Sequence, residues 1–256
     1  MQEDKNVFSL NKKVAIVTGG AKGNGLAIGA ALLNYGAKVY FFDLIESELK
    51  KAEKKIQSSK ACFENLNVTD YERFATRCDE IFLNEKRLDV LVNNAGVTYG
   101  EASEKYSQER WDKTHKINLE APFKLAQIVF PHMKATGTGS IINITSIASE
   151  FGMSQNPAYV SSKGALKQLT KALAKDWATY GIRVNNLGLG YFQTSMTKES
   201  FADESMRKER SKRIMLGRWG EPVDLVGPAV FLASDASRYM TGQDLYIDGG
   251  LLANGI

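Results

Sequence analysis

The chain has 256 residues, with 33 Lys and Arg against 29 Asp and Glu, a formal net charge of +4 and a hydrophobic fraction of 43%. That length holds one large α/β domain or two small ones, no apolar run approaches the ~18 residues of a membrane span, and residues 1–5 lack the apolar stretch of a signal peptide. Cys62 and Cys78 are too few for a disulfide framework, so a reducing cytoplasm is expected, and a surplus of four charges is too small to imply a nucleic-acid partner.

In chain order, short β-branched and aromatic runs alternate with longer helical patterns. Strands are predicted at 14–18, 38–42, 61–66, 88–92, 140–145, 182–187 and 245–248. Several (Val-Ala-Ile-Val, Val-Tyr-Phe-Phe, Val-Leu-Val) are apolar at nearly every position, as in strands covered on both faces. Helices are predicted near 25–35, 46–58, 71–85, 108–133, 158–180 and 222–233, the last opening on a proline suited to a first helical turn. This alternation means βαβ units and a doubly wound, parallel α/β sheet. The five prolines are dispersed and no low-complexity linker divides the chain, so one domain over 1–256 is expected.

Thr18-Gly19-Gly20-Ala21-Lys22-Gly23-Asn24-Gly25 follows the first strand and opens the first helix. Glycine suits a tight turn whose backbone must approach a diphosphate, and the helix N-terminus adds free N–H groups and partial positive charge. The spacing, G-x-x-x-G-x-G, differs from the G-x-G-x-x-G dinucleotide fingerprint, and glycine-rich turns also occur for packing alone. Asp43, ending the second strand, favours the dinucleotide: an acid there accepts hydrogen bonds from the adenosine ribose and repels a 2′-phosphate. NAD(H) is therefore expected in preference to NADP(H). Lys22 is the counter-argument, read here as a solvated loop cation.

Tyr159-Val-Ser-Ser-Lys163 opens a helical segment, and its i,i+4 spacing puts phenol and ammonium on one face. A nearby cation draws a phenol toward the working pH range, which makes it an acid–base group. Ser146 follows the strand at 140–145, at the carboxyl edge where open α/β sheets bind ligands.

With these residues in place, the chain resembles the short-chain dehydrogenase/reductase family. The motifs run in order through Thr18-Gly19-x-x-x-Gly23-x-Gly25, Asn93-Asn94-Ala95-Gly96, Asn118, Ser146, Tyr159-x-x-x-Lys163 and Thr194. The resemblance implies a seven-stranded Rossmann-type sheet with helices on both faces, and a homotetramer or homodimer in which the helices at 108–133 and 158–180 pair. It implies that Tyr159 is the acid–base group, that Ser146 holds the reacting oxygen, that Lys163 lowers the tyrosine pKa and bonds the nicotinamide ribose, and that Asn118 positions a water behind the lysine. The cofactor contacts it implies come from Thr18, Gly19, Lys22, Gly23, Asn24 and Gly25, from Asp43, Asn67 and Val68, from Asn94, Ala95 and Gly96, and from Tyr159, Lys163 and Thr194. Two positions depart from the pattern. Asn67 stands where an aspartate is common, its carbonyl oxygen still able to accept from an adenine amino group. Leu189-Gly190 replaces Pro-Gly before Thr194, which removes a rigid turn.

The implied reaction is hydride transfer between a nicotinamide and a secondary alcohol or ketone. Substrate choice is expected to depend on Thr98, on residues 150–156, and on a lid at about 191–217. The run 207–213 carries five cations and one anion, a net charge equal to the whole surplus of the chain. It tilts the expectation toward a sugar acid, polyol or other anionic hydroxy compound, with a solvated helix face or a subunit contact as the alternative. The segments 217–224 and 248–250 resemble gluconate 5-dehydrogenase-like members, although close variants occur in 3-oxoacyl thioester reductases. Neither His115 nor His132 lies in zinc-like spacing with a cysteine, and no Gly-x-Ser-x-Gly elbow is present. A non-catalytic dinucleotide-binding protein would be expected to lose part of the proton-transfer set, which here is complete.

Overall fold

The computed structural model describes residues 6–254. The stretch 1–5, where no leader was expected, and residues 255–256 lie outside the described residues. Seven strands form one parallel sheet: β1 Val14–Thr18, β2 Lys38–Asp43, β3 Ala61–Asn65, β4 Val90–Asn93, β5 Gly139–Ser146, β6 Ile182–Leu189 and β7 Asp244–Ile247. Their order is β3-β2-β1-β4-β5-β6-β7, so the chain reverses its winding between β1 and β4 and opens a crevice at the carboxyl ends of those strands.

Helices cover both faces, which explains the continuous apolar runs. On one face Val17, Phe41, Val92 and Ile142 pack under α1 (Gly23–Asn34) and α9 (Val226–Ala233). On the other, Ile16, Phe42, Leu91 and Ile141 meet α3 (Tyr71–Glu85), α5 (Ala121–Thr136) and α6 (Pro157–Trp177). A third, smaller cluster of Ile147, Trp219, Ile214 and Leu251 sits beside the carboxyl edge of β5 and β6. Among the described residues no helix is long and apolar enough to cross a membrane.

The structure differs from the predicted elements at four places. The strand expected from residue 88 begins at Val90, because the buried Asp89 carboxylate turns to accept from Val14 N at 2.8 Å and pairs with Arg87. The helix expected over 108–133 is instead α4 (Gln108–His115), a π turn (Lys116–Glu120) and α5. The π turn holds Asn118, whose Oδ1 accepts from Val97 N and whose Nδ2 donates to Val97 O, both at 2.9 Å. A side chain drawn out to a neighbouring strand end in this way accompanies a locally widened turn. The lid region, unassigned in sequence, contains α7 (Lys198–Ala202) and α8 (Glu204–Arg213), the latter N-capped by Asp203 Oδ1 on Met206 N at 2.9 Å. The helix expected near 46–58 is α2 (Glu46–Lys55).

Candidate active site

A cleft of about 680 Å³ runs across the carboxyl ends of the central strands. Its first wall is the glycine loop. Gly19 and Gly23 take left-handed φ angles of 61° and 54°, and a Cβ on Gly25 would lie 2.2 Å from Gly19 O. The loop is fixed from below. Thr18 Oγ1 accepts from Asn94 N at 3.0 Å and Ala95 N at 3.1 Å, while Asn94 Nδ2 donates to Thr18 O and Gly19 O. Thr18 and Asn94 thus lock the loop after β1 to the loop after β4, and Gly96 leaves room for the Asn118 amide, 3.3 Å from where a Cβ would sit.

At the β2 end, Asp43 lines the cleft with its carboxylate held by two backbone donors: Oδ2 by Ala21 N at 3.0 Å and Oδ1 by Ile45 N at 3.1 Å. Leu66, Asn67 and Val68 line the same end. Asn67 Oδ1, expected to receive an adenine amino group, is shared by Thr69 N at 3.1 Å and Thr69 Oγ1 at 2.9 Å. That local Asx turn engages the same oxygen that the resemblance assigns to the adenine amino group. Across the cleft, Thr194 faces Gly23, its Cβ 3.8 Å from the position of a Gly23 Cβ, and Thr194 N is tied to Thr197 Oγ1 at 3.1 Å.

Ser146, Tyr159 and Lys163 line the cleft together, between β5 and the start of α6. Ser146 is the last residue of β5 and is 7% exposed, with its Oγ accepting from Ala148 N at 3.1 Å. Lys163 is 5% exposed, donates to Ile144 O at 2.7 Å, and stands 5.8 Å from the centre of the Tyr159 ring. Burial brings the lysine pKa down to about 8. Burial also pushes the Tyr159 phenol above its ordinary value, opposed by the Ser146 hydroxyl. Asn118 is fully buried behind the lysine and also donates to Ser162 Oγ at 3.2 Å.

The cradle fits a dinucleotide on its own geometry. The loop brings backbone to where any Cβ at Gly25 would collide, and Asn24 Oδ1 is buried without a hydrogen-bond partner beside the first turn of α1. Lys22 lines the cleft at the N-cap of α1 and makes no side-chain cap bond. No group of three or more His, Cys, Asp or Glu capable of holding a metal occurs among the described residues. His115 instead ends α4, with one ring nitrogen 2.9 Å from Trp111 O and the other 3.0 Å from Ser161 Oγ.

The basic run lies on α8, and none of its cations lines the cleft. Arg207 bonds Phe201 O, Arg210 lies over the Tyr191 ring at 4.7 Å, Lys208 pairs with Glu204, and Arg213 is 3.7 Å from Glu209. The expected lid reaches the cleft through Phe192 and Thr194–Thr197.

A parallel sheet with a glycine loop at its winding reversal, facing a serine, a tyrosine and a lysine across one cleft, defines a dinucleotide-dependent α/β oxidoreductase. Comparison with known proteins agrees. The family described as "Enoyl-(Acyl carrier protein) reductase" matches residues 19–252. The chain is 38% identical to the gluconate 5-dehydrogenase of Gluconobacter oxydans over 96% of this chain and 97% of that one. It is 36% identical to an NAD-dependent glycerol dehydrogenase of Listeria innocua over 95% of each. A crystal structure of a gluconate 5-dehydrogenase from Burkholderia cenocepacia, in complex with NADP and tartrate, superposes with a TM-score of 0.92 at 34% identity, covering 97% of this chain and 98% of that one. The chain belongs to the short-chain dehydrogenase/reductase family, and it is an oxidoreductase that interconverts an alcohol and a ketone with a nicotinamide cofactor.

Proposed function

We propose that the protein oxidises a secondary alcohol of a sugar acid, or reduces the corresponding keto acid, in the manner of the gluconate 5-dehydrogenases it resembles. The observation that carries the chemistry is the convergence of Ser146, Tyr159 and Lys163 with the glycine loop in one cleft. The choice of sugar acid rests on the relatives' names; α8 adds nothing to it, since its cations face elsewhere.

A nicotinamide cofactor in the cleft supplies or accepts the hydride. Tyr159 Oη gives the proton to the carbonyl oxygen in reduction and takes it back in oxidation, while Ser146 Oγ holds that oxygen in line. Lys163 supplies the positive charge behind the phenol, and Asn118 supports the lysine side from the π turn between α4 and α5. The glycine loop and Thr18 would hold the diphosphate end of a dinucleotide, Asn94, Ala95 and Gly96 its middle, Asn67 and Val68 the adenine end, and Thr194 the nicotinamide end. Asp43 supports NAD(H) as the preferred cofactor, because a 2′-phosphate would meet its carboxylate. Relatives of both cofactor types are similar to this chain, so the distinction rests on Asp43 and Lys22.

Two accompanying readings follow from the same residues. The helices α4, α5 and α6 form the contact of a homodimer or homotetramer, a point light scattering with size-exclusion chromatography decides. The two free cysteines, Cys62 and Cys78, suit the cytoplasm. The substrate is tested at 340 nm with gluconate, 5-keto-gluconate, glycerol and an acetoacetyl thioester, each with both cofactors. Turnover highest for the gluconate pair supports the reading; preference for the thioester would replace it with an acyl reductase, and cofactor binding without any turnover with a non-catalytic dinucleotide-binding protein.

A further inference from the structure

A row of polar side chains crosses the sheet beneath the cleft, and none of them lines it. Asn93 of β4, Asn143 of β5, Asn186 of β6 and Asp244 of β7 stand opposite one another in register. Asn93 Nδ2 donates to Asn143 Oδ1 at 2.8 Å, and Asn143 Nδ2 donates to Thr170 Oγ1 at 2.8 Å. Thr170 Oγ1 in turn donates to Asn186 Oδ1 at 2.6 Å, and Asn186 Nδ2 to Asp244 Oδ1 at 2.7 Å. Thr170 is the exception in this row, because it belongs to α6 and not to the sheet. Asn143, Thr170 and Asn186 are all 1% exposed or less.

Both ends of the row reach the site. At the inner end, Asn93 directly precedes Asn94, the residue that clamps the glycine loop. At the outer end, Lys167 of α6 lies 3.7 Å from Asp244 Oδ2 and pairs with Glu150, which also accepts from Tyr246 of β7. Glu150 is four residues past Ser146, on the loop that leaves β5.

Apolar residues of similar volume would fill this layer at no cost in stability, since buried polar groups lose hydration that their mutual bonds only offset. What apolar contacts do not do is fix a helix along its axis. Hydrogen bonds of 2.6–2.8 Å do, because a slip of one residue moves a helix by about 1.5 Å and turns it by about 100°. The helix so fixed is the one that carries Tyr159 and Lys163, about three and two turns before Thr170. We propose that Thr170 is a positioning residue: held between Asn143 and Asn186, it sets α6 on the sheet at the height that brings Tyr159 beside Ser146, with the Lys167–Glu150 pair as a second tie to the Ser146 loop.

The inference rests on Tyr159 being the proton-transfer group, and its test separates the two. Thr170→Val keeps the volume and removes the hydroxyl, Thr170→Ser restores it, and Lys167→Met breaks the partly exposed outer tie without entering the core. For Thr170→Val the expectation is a fall in kcat of about tenfold or more with KM for substrate within about twofold, as small misplacements of a reacting group produce. The midpoint of the kcat–pH profile moves upward as Tyr159 leaves Ser146. Thr170→Ser returns both to within about twofold of wild type, and Lys167→Met shifts both in the same direction by a smaller factor. Should Thr170→Val fail to fold, Lys167→Met with its pH profile decides. Unchanged kcat and pH midpoint in the folded variants, with only the melting temperature lowered, overturns the proposal. A Tyr159→Phe enzyme that still turns over would instead remove the reading on which it rests.

Discussion

Lys163 Nζ donates to the carbonyl oxygen of Ile144 at 2.7 Å, so the ammonium is anchored to β5 under the Tyr159 ring and not to the phenol oxygen. This bond satisfies one of three donors on a side chain that is 5% exposed. The remaining desolvation brings the pKa from 10.5 to about 8.

That displacement has a sign in stability. Between about 8 and 10.5 the unfolded chain holds a proton on Lys163 that the folded chain has released. Stability therefore rises with pH across this window, by as much as about 3 kcal/mol. Urea unfolding of the ligand-free protein from pH 7 to 10, wild type against Lys163→Met, should show the wild type gaining on the variant as pH climbs past 8. A difference that stays flat would refute the assignment. The comparison stops at pH 10 because Tyr159, raised above its ordinary value, subtracts stability once the unfolded tyrosine ionises.

The raised phenol also predicts a directional pH profile. At neutral pH Tyr159 is protonated, the form that serves ketone reduction, whereas alcohol oxidation needs the phenolate. The kcat for oxidation should climb through the alkaline range and that for reduction should fall over the same interval. Tyr159→Phe should lower both by about 10³-fold while the cofactor Kd, followed by fluorescence, changes less than about threefold. Residual turnover near wild type would remove Tyr159 from its role.

Thr18 should be more sensitive than its size suggests. Its hydroxyl, on a residue 1% exposed, accepts from Asn94 N and Ala95 N and donates to Val92 O at 3.3 Å. Thr18→Val keeps the shape but leaves the Ala95 N–H unpaired and the Asn94 N–H with only Val92 O at 3.1 Å, at a cost of about 1–3 kcal/mol. Thermal unfolding should show that loss, and the cofactor Kd should rise with it because the same bonds hold the glycine loop to β4. A variant with wild-type stability would show that other groups take up these donors.

The strands were legible because a sheet covered on both faces needs apolar residues in succession, and Val14–Thr18 or Lys38–Asp43 read as nothing else. The cleft was legible because its backbone demands are met by glycines at fixed spacing and its chemistry by side chains one helical turn apart. The π turn at Asn118 was not, since its cause is a bond to Val97, 21 residues away. Helix α8 was hidden for the opposite reason: Glu-Ser-Met-Arg-Lys-Glu-Arg-Ser-Lys-Arg has no apolar stripe, and no residue of it is buried. The polar row through Asn93, Asn143 and Asn186 exists only once strand register is known. Asn67 is different, because its capture by Thr69 two residues on is a local turn that Asn-Val-Thr already favours.

The proposed preference for NAD(H) rests on one carboxylate with two duties. Asp43 carries the charge that a 2′-phosphate would meet, and it also holds Ala21 N and Ile45 N, which shape the loop ends on either side. Removing the side chain would lose both bonds, whereas Asp43→Asn removes the charge and keeps one of the two acceptor oxygens. With wild type, kcat/KM should favour NAD(H). In Asp43→Asn the value for NADP(H) should rise by about tenfold or more as the repulsion goes, and Lys22, which lines the same cleft, becomes an attractive partner for the phosphate. Lys22→Ala should then reverse that gain while leaving NAD(H) turnover within about threefold. A wild type that already prefers NADPH, and loses that preference in Lys22→Ala, would show the lysine and not the aspartate in control.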